Sequence, residues 1–391
     1  MNNVCTNWED KCSGCGLCES ICPTNAITII QKKGFFRPKI SVDKCIDCGK
    51  CVNFCPGNLS KMGIYSNNLI CYRNFKYILY GHSSNRNLRK EAASGGVTTE
   101  LLKFMLDSSL VDYVITAGVY KNDKNLGYDI FDKKNAILLE KNSGSNYCPA
   151  NLSKAIGEIK KTEGKYAVVC LPCLARGISN LKKKNRIINS RIKYIITLLC
   201  NHVPSYDATD YLINKYKIKN VQMVKYRGNG WFGYFRTYDD SENGSENFSV
   251  PFSEYFCTKF SEYFWQSACV NCIDHFGINS DVCMGDADFV KYHGDAKNEG
   301  ETIVFTNNKE ILKMLYDMEN RGLISLFRSI EESDLELIYG PLSKKNRASL
   351  LNTRTGVREI LIEEERTNQT NRIKGGVRLI KRMLLRVIPK L

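Results

Sequence analysis

The chain of 391 residues has no apolar run that approaches the roughly 18 residues of a membrane span. Residues 1–19 have neither the apolar segment nor the cleavage pattern of a secretory signal. The net charge is +15, yet there is no nucleic-acid recognition motif and no basic stripe interleaved with aromatic residues. We therefore expect a cytoplasmic protein that binds no nucleic acid and attracts acidic partners or surfaces.

Cysteine, in contrast, is abundant: the chain has 18, and eight of them form two copies of one pattern. Each copy reads C-x2-C-x2-C-x3-C-P, the spacing of a bacterial ferredoxin with two 4Fe–4S clusters, and the copies are offset by 33 residues. In this motif the first three cysteines bind one cluster and the fourth binds the other. The ligands predicted for the first cluster are Cys12, Cys15, Cys18 and Cys55. The ligands predicted for the second cluster are Cys45, Cys48, Cys51 and Cys22.

Two other uses of paired cysteines compete with this interpretation. Zinc ribbons contain C-x-x-C pairs, but they need no third cysteine two residues further on. A disulfide framework needs an oxidising compartment, for which residues 1–19 carry no signal. Between the copies, β-type runs on either side of Lys32-Lys33-Gly34 predict a hairpin. We predict a small α+β bacterial-ferredoxin-like domain over residues 1–63 that moves single electrons.

The next predicted domain covers residues 64–345, and from residue 76 to about 320 short β-rich runs alternate with amphipathic stretches. The strands predicted from these runs are 76–80, 111–120, 165–170, 191–200, 221–227 and 302–306. The helices predicted are 97–106, 151–160, 174–182, 206–216 and 309–320. Such alternation predicts an α/β domain with a mixed or mostly parallel sheet and flanking helices.

Two glycine-containing segments of this domain are candidate ligand sites. Ser94-Gly95-Gly96 precedes a predicted helix, where backbone amides and the helix dipole suit a phosphate or a flavin. The same residues also fit a serine N-cap in a glycine-containing loop. Residues 228–233 match G-x-G-x-x-G, but an aromatic β-type run follows them. A dinucleotide fingerprint requires a helix there, so we predict a turn between two strands instead.

Four further cysteines, Cys173, Cys200, Cys269 and Cys272, form a dispersed set. Cys170-x-x-Cys173 ends a predicted strand and opens a helix, which fits either a thioredoxin-type dithiol or a metal ligand on a rigid turn. Cys173, Cys200 and the Cys269-x-x-Cys272 pair supply four thiols, the number that a third cubane cluster needs. Spacing along the chain cannot show whether the four meet.

Taken together, these segments resemble the beta-subunit family of coenzyme F420 hydrogenase/dehydrogenase. The resemblance runs from the ferredoxin motifs to about residue 345. Its segments, in chain order, are Ser94-Gly95-Gly96-Val97, Gly144-Ser145-Asn146-Tyr147, Leu171-Pro172-Cys173, Leu198-Leu199-Cys200-Asn201-His202, Tyr226-Arg227-Gly228, Cys269-x-x-Cys272 and Asp281-Val282-Cys283-Met284-Gly285-Asp286.

The resemblance implies an iron–sulfur flavoprotein that passes electrons between clusters, FAD and coenzyme F420 or another organic substrate. It implies a mixed-sheet flavin domain, with Cys173, Cys200, Cys269 and Cys272 holding a third 4Fe–4S cluster. The residues that it assigns to FAD are Ser94, Gly95, Gly96, Arg227, Gly228, Gly285 and Asp286. One branch of similar fold reduces a chlorophyll side chain, and some bacterial members are associated with surface-polysaccharide genes. Asn201 and the Tyr147-Cys148 pair depart from the family pattern and leave the organic substrate open.

Two functions follow from these observations. The chain is either a self-contained oxidoreductase or a non-catalytic electron-transfer subunit that serves a partner enzyme. In one form of the second function, the partner enzyme takes part in surface-polysaccharide biosynthesis. A ferredoxin-like protein is the expected donor or acceptor, and a small organic molecule the expected substrate. His202 is the candidate catalytic acid because an imidazole titrates near neutral pH, although a histidine after a strand also serves structural roles.

Residues 346–391 form a basic tail. From Arg366 onward it has eight basic residues and no acidic one. Residues 376–388, drawn as a helix, separate basic from apolar side chains, with Leu379 and Leu385 as exceptions. Such a helix lies on an anionic membrane at the inner face of the cell membrane, or it docks on its own domain or a partner subunit. Both interpretations stay open.

Overall fold

The computed structural model describes residues 3–5, 11–59, 70–241, 244–256, 264–270, 272, 274–288 and 299–340. The strands in these ranges are β1 (Ile27–Lys32), β2 (Phe35–Ile40), β3 (Tyr77–Ser83), β4 (Tyr113–Ala117), β5 (Tyr128–Phe131), β6 (Tyr166–Cys170), β7 (Ile192–Leu198), β8 (Met223–Lys225), β9 (Tyr234–Tyr238), β10 (Glu246–Pro251), β11 (Val282–Asp286), β12 (Thr302–Thr306) and β13 (Ile324–Phe327). The α-helices are α1 (Leu17–Ser20), α2 (Lys50–Asn53), α3 (Pro56–Leu59), α4 (Arg86–Glu91), α5 (Val97–Asp107), α6 (Ser153–Lys161), α7 (Pro172–Lys184), α8 (Arg186–Arg191), α9 (Tyr206–Lys215), α10 (Ser253–Phe256), α11 (Ser267–Val270), α12 (Lys309–Asn320) and α13 (Glu332–Tyr339).

The ferredoxin-like segment repeats its backbone as well as its cysteines. Strands β1 and β2 form the predicted hairpin, which is confirmed, with Ile27 opposite Ile40. Helix α1 follows Gly16 and helix α2 follows Gly49, and both glycines are left-handed, at φ of 74° and 66°. Each of these short helices contains the third cysteine of its motif, Cys18 in α1 and Cys51 in α2. The tandem repeat in the sequence is therefore also a repeat in three dimensions.

The main domain is built on a mixed sheet of eight strands in the order β13-β3-β12-β11-β7-β6-β4-β5. The four strands β11, β7, β6 and β4 run parallel to one another. The strands outside this group pair antiparallel. The expectation of a mixed α/β sheet is confirmed. Parallel strands bring their carboxyl ends to one edge of a sheet, which is where open α/β sheets bind ligands.

Helices cover both faces of this sheet. Val114 of β4 packs on one face with residues of α5 and α12, while the next residue, Ile115, packs on the other face with residues of α6 and α7. The alternation follows from the two-residue period of a strand. Both faces of the central strands are buried, so these strands read in the sequence as continuous apolar runs.

A second sheet of three antiparallel strands, in the order β10-β9-β8, lies beside an aromatic cluster that includes Tyr206, Tyr226 and Phe235. Strand β9 begins directly after Gly233, which has a φ of 89°. The glycine-rich segment therefore joins two strands, as predicted, and opens no helix.

The ferredoxin-like segment packs directly on the main domain. Helix α1 packs on α6, and helix α3 packs on α7. At Gly177 of α7, an added Cβ would lie 2.5 Å from Cδ2 of Leu17 and 3.2 Å from Cγ of Pro56. The Lys160 ammonium donates a hydrogen bond to the carbonyl of Ser20 at 2.7 Å. A residue without a side chain thus allows the two parts to approach closely.

Several predicted boundaries lie outside the described residues. These include the junction near residue 63 and the whole basic tail from 346 to 391 with its amphipathic helix. Strands β5, β10, β11 and β13 were not predicted as strands. None of the helices in the described ranges is both long and apolar enough to span a membrane.

Candidate functional site

A cavity of about 370 Å³ lies at the carboxyl ends of the parallel strands. Strand-end residues from all four line it, including Ala117, Cys170, Leu198 and Asp286. The volume is in the range of small-molecule sites. Of the residues that the sequence assigns to sites, the lining includes Ser94, Gly96, Arg227, Gly285, Asp286, His202, Cys15, Cys170, Cys173 and Cys200. The cavity therefore brings together residues from the cofactor, catalytic and cluster predictions.

The N-terminus of α5 forms one wall. Its N-cap residue is Gly96, at a left-handed φ of 80°, so Ser94 is not the N-cap that one interpretation expected. The Ser94 hydroxyl lies 3.1 Å from the hydroxyl of Thr302, on the neighbouring strand β12. A glycine N-cap offers no side chain to the first-turn amides of the helix. The wall therefore presents the positive end of a helix dipole to the cavity.

Arg227 is the most deeply buried charged group in the cavity wall, with 2% of its surface exposed. Its two terminal nitrogens donate to the two carboxylate oxygens of Asp286, at 3.0 and 3.3 Å. They also donate to the Tyr147 hydroxyl at 3.0 Å and to the Ala93 carbonyl at 2.5 Å. Burial opposes the charge, but Asp286 and Tyr147 outweigh it and raise the pKa of Arg227. The guanidinium is a fixed cation at the cavity.

Two aromatic rings flank this guanidinium. The Arg227 Cζ atom lies 4.9 Å from the ring centroid of Phe252 and 5.5 Å from that of Phe232. Its Nε atom is buried and has no hydrogen-bond partner among the described residues. Because a buried donor without a partner is costly, this N–H is suited to a ligand oxygen.

The segment from Asn142 to Ala150 forms a second wall. Side-chain amides fix it to strand β4 and the residue after it. Asn142 donates to the Ala117 carbonyl at 3.3 Å, and Asn146 donates to the Gly118 carbonyl at 2.9 Å. The hydroxyl of Ser143 is buried and has no partner within the described ranges. The wall is held rigidly, yet it keeps a polar atom for a ligand.

Cysteines from separate elements gather at the N-terminus of α7. Burial, and then the thiolates of Cys15, Cys200 and Cys269, raise the pKa of Cys173. Cys272 donates a backbone hydrogen bond to the Cys269 carbonyl at 3.2 Å, so the last two thiols share one turn. A 4Fe–4S cluster takes four such thiols. Across the described part of the chain, no three or more His, Cys, Asp or Glu side chains are arranged to hold a single metal ion.

The ferredoxin-like cysteines influence one another across the two motifs. Burial and then the thiolate of Cys55 raise the pKa of Cys15 to about 12. Burial raises the pKa of Cys51, and the thiols of Cys48 and Cys22 act in the same direction. The fourth cysteine of each motif thus lies near the other motif. Cys15 also lines the cavity and influences Cys173, so the first cysteine set lies beside the dispersed set.

Cys170 does not fit a thioredoxin-type dithiol. It ends the buried strand β6 and packs in the core against the helices on that face. Burial, with a smaller effect of Cys15, raises the pKa of Cys170. A redox-active first thiol needs a lowered pKa. The structure therefore favours a structural role for Cys170.

His202 lies in the cavity wall and stacks on Trp265, with ring centroids 4.1 Å apart and 24° between the planes. A second histidine, His275, also lines the cavity, and its carbonyl accepts a hydrogen bond from the Cys200 amide at 3.0 Å. His275 was not predicted from the sequence as a site residue. It lies three residues after Cys272, and this proximity was the available signal.

Three glycines assigned to the flavin site leave no room for a Cβ atom. A Cβ on Gly95 would lie 2.4 Å from the Gly81 carbonyl oxygen, and one on Gly228 would lie 2.7 Å from the Glu91 carbonyl oxygen. Neither Gly95 nor Gly228 is among the cavity-lining residues. Gly285 does line the cavity, and an added Cβ there would lie 2.6 Å from Cδ1 of Leu199. Gly95 and Gly228 thus shape the backbone next to the cavity without facing it.

Comparison with known proteins gives matches to two families. Residues 78–157 match the N-terminal part, and residues 163–332 the C-terminal part, of the family described as coenzyme F420 hydrogenase/dehydrogenase, beta subunit. The chain belongs to this family. Residues 11–59 match the 4Fe-4S dicluster domain, so the chain carries that domain at its N-terminal end.

Individual relatives agree with this assignment. The chain is 24% identical over 286 residues to an F(420)H(2) dehydrogenase subunit of Methanosarcina mazei, covering 71% of this chain and 75% of that one. It is 34% identical over 157 residues to the beta subunit of the F420-dependent formate dehydrogenase of Methanocaldococcus jannaschii, 38% of this chain and 39% of that one. A chain of the F420-reducing [NiFe] hydrogenase complex from Methanosarcina barkeri has a similar fold, with a TM-score of 0.51 and 16% identity. That match covers 72% of this chain and 93% of the other.

Proposed function

We propose that this family member is an iron–sulfur flavoprotein that exchanges electrons with an organic substrate. One observation carries the proposal: a single cavity is lined by predicted cluster ligands, by predicted flavin residues and by His202. An enzyme that joins one-electron carriers to two-electron chemistry needs these groups side by side. A flavin stores two electrons and accepts them singly, and this is the chemistry that FAD would supply.

The cavity wall fits a flavin in three respects. The N-terminus of α5 presents positive potential to an anionic group. The Nε of Arg227 and the hydroxyl of Ser143 are buried polar atoms without partners among the described residues. The rings of Phe232 and Phe252 add flat apolar surface beside Arg227. Each feature matches a part of such a molecule, namely a phosphate, polar ring atoms and an aromatic ring system.

The order of cysteines supports a route for electrons. Exposed Cys48 belongs to the second predicted cluster set, and Cys15 of the first set lines the cavity. Cys15 lies close enough to Cys173 to raise its pKa. The route would run from the surface through the two ferredoxin-like sets and the dispersed set to the cavity, or in the reverse direction.

Iron and flavin content of the anaerobically purified chain tests the proposal. About twelve irons and one FAD per chain would support three clusters and a flavin. About eight irons with FAD would restrict the clusters to the ferredoxin-like segment. About eight irons without flavin would overturn the flavoprotein proposal and leave an electron carrier.

Two features favour coenzyme F420 or a similar deazaflavin as the substrate class. The relatives from Methanosarcina mazei and Methanocaldococcus jannaschii are named as subunits of an F(420)H(2) dehydrogenase and of an F420-dependent formate dehydrogenase. The cavity combines aromatic surface with a fixed cation, which suits a flat, anionic molecule. Reduction of F420 by the chain, followed at its visible absorption band, is the direct assay. No absorbance change with F420, together with turnover of another organic acceptor, would exclude it.

The names of the relatives also favour work within a larger assembly, since each is called a subunit. The chain would then need a partner to supply or remove electrons. Turnover by the purified chain alone, with a chemical reductant, separates a self-contained enzyme from a dependent subunit.

His202 is proposed to move a proton to or from the substrate, since it is the cavity-lining imidazole that stacks on Trp265. Replacing His202 with Gln is expected to slow reduction of a two-electron organic acceptor about 100-fold, the lower end of general acid–base effects. Reduction of a one-electron dye should be unchanged, because it needs no proton from this group. Equal rates for the organic acceptor in both proteins would remove His202 from the mechanism.

A further inference from the structure

A buried ion pair lies between the ferredoxin-like segment and the dispersed cysteines. Arg176, one turn after Cys173 on α7, donates from Nη2 to a carboxylate oxygen of Asp274 at 3.3 Å. Its side chain is 7% exposed and that of Asp274 is 0% exposed. A pair so deeply buried has a large desolvation cost, so it is weak evidence for stability and invites another explanation.

Each partner is tied to a cysteine segment. Arg176 Nη1 donates to the carbonyl of Pro56, the residue after Cys55, at 3.5 Å. The other oxygen of Asp274 accepts from the Gly277 amide at 2.6 Å, and Asp274 lies two residues after Cys272 in the chain. The guanidinium therefore contacts the residue that follows Cys55 of the first cluster set and the residue two positions after Cys272 of the dispersed set. It also follows Cys173 by a single turn of helix.

We infer that Arg176 is a positioning residue that aligns the two cysteine sets and supplies a buried positive charge to the third cluster. This inference rests on the proposed third cluster. Reduction adds one electron and no proton to a cluster, so its net charge becomes more negative by one. A nearby cation favours that change, and burial limits the screening that water and salt would provide. Asp274 holds the guanidinium in place and moderates its field.

Opposite shifts of the reduction potential are the signature of this role. Arg176→Gln removes one positive charge and keeps the negative charge of Asp274, so the third cluster should become harder to reduce. At a fixed potential, the ratio of reduced to oxidised cluster should fall at least tenfold, equivalent to about 59 mV for one electron. Asp274→Asn leaves the cation alone and should move the ratio in the opposite direction. Arg176→Lys keeps the charge and should restore most of the potential.

The measurement is a redox titration of the full chain followed by electron paramagnetic resonance. Subtracting the signal of a Cys269→Ser variant isolates the third cluster. Lys182→Gln is the matched control, because Lys182 lies on the same helix and donates to the Ile192 carbonyl at 2.7 Å, away from the cysteines. It should leave the potential unchanged.

Three outcomes would overturn the inference, and they differ from one another. About eight irons in the wild-type chain would remove the third cluster, and the inference with it. About twelve irons with unchanged potentials in both variants would refute the charge effect and leave the proposed function intact. Shifts of the same sign in Arg176→Gln and Asp274→Asn, with loss of iron in both, would indicate a packing role alone.

Discussion

Arg227 ties together elements that are far apart in the sequence. It contacts Asp286 at the end of β11, Tyr147 in the wall formed by residues 142–150 and the carbonyl of Ala93 before α5. Asp286 is only partly buried, with 26% of its side chain exposed, whereas Arg227 is 1% exposed. The consequence of breaking the pair therefore depends on which partner is removed. Loss of Asp286 leaves the more deeply buried charge without its counterion.

Asp286→Asn is expected to lower the free energy of unfolding by about 3 kcal/mol, the lower end for breaking a buried pair. The lower end applies because Tyr147 and Ala93 still accept hydrogen bonds from Arg227. The measurement is urea denaturation of the full chain at constant slope. Lys124→Gln is the control, since the Lys124–Asp210 pair is 39% and 29% exposed and should contribute less than about 1 kcal/mol. Similar losses in both variants would contradict this account.

At the level of elements, the contact between α7 and the ferredoxin-like segment depends on Gly177. Gly177→Ala is expected to destabilise the protein by about 1–3 kcal/mol, because its Cβ would lie 2.5 Å from Leu17. The same change at Gly157 of α6 meets nothing within 4 Å and should stabilise the helix by about 0.5–1 kcal/mol. Thermal unfolding of both variants checks the pair. If both gained stability, the helix and the ferredoxin-like segment could not be as close as described.

The sequence predicts elements well where local pattern and burial agree. Strand β12 and helix α12 begin and end at the predicted residues. Strand β11 was not predicted because it contains Gly285 and Asp286, and glycine and aspartate have low strand propensity. In the fold, β7 and β12 pair with it on either side. Tertiary pairing outweighed local preference there.

The sequence likewise predicts some residues of the candidate site and misses others. Cysteine spacing predicts the ferredoxin-like ligands because one loop carries three of them. The contacts of Phe252 with Arg227 and of Asp274 with Arg176 could not be predicted from the sequence. For example, 98 residues separate Arg176 from Asp274, and spacing along the chain does not tell how far apart two residues lie in the fold. Only the fold brings these groups together. Buried pairs of this kind leave no periodic signal in a sequence.

For the whole molecule, charge and exposure predict where an electron partner would bind if the proposed function is right. The second predicted cluster set is the one nearest the surface, since Cys48 is exposed. On either side of Cys45, Val42 and Ile46 are 61% and 64% exposed. An exposed apolar patch beside a redox centre suits a transient protein contact. The net charge of +15 would draw an acidic carrier toward the molecule from a distance.

Electron transfer from an acidic ferredoxin should therefore slow steeply as salt rises, because the screening length falls from about 10 Å at 0.1 M to about 3 Å at 1 M. Stopped-flow reduction at a series of salt concentrations measures this. A neutral small-molecule reductant is the control and should show a flat profile.

Deleting residues 372–391 removes seven basic residues and tests whether the tail supplies the attraction. If the truncated chain keeps the full salt dependence, the attraction comes from the folded domains. The tail is then available for a membrane or a partner subunit, which liposome binding by the full and truncated chains distinguishes. A flat salt profile for the acidic ferredoxin itself would contradict electrostatic recruitment altogether.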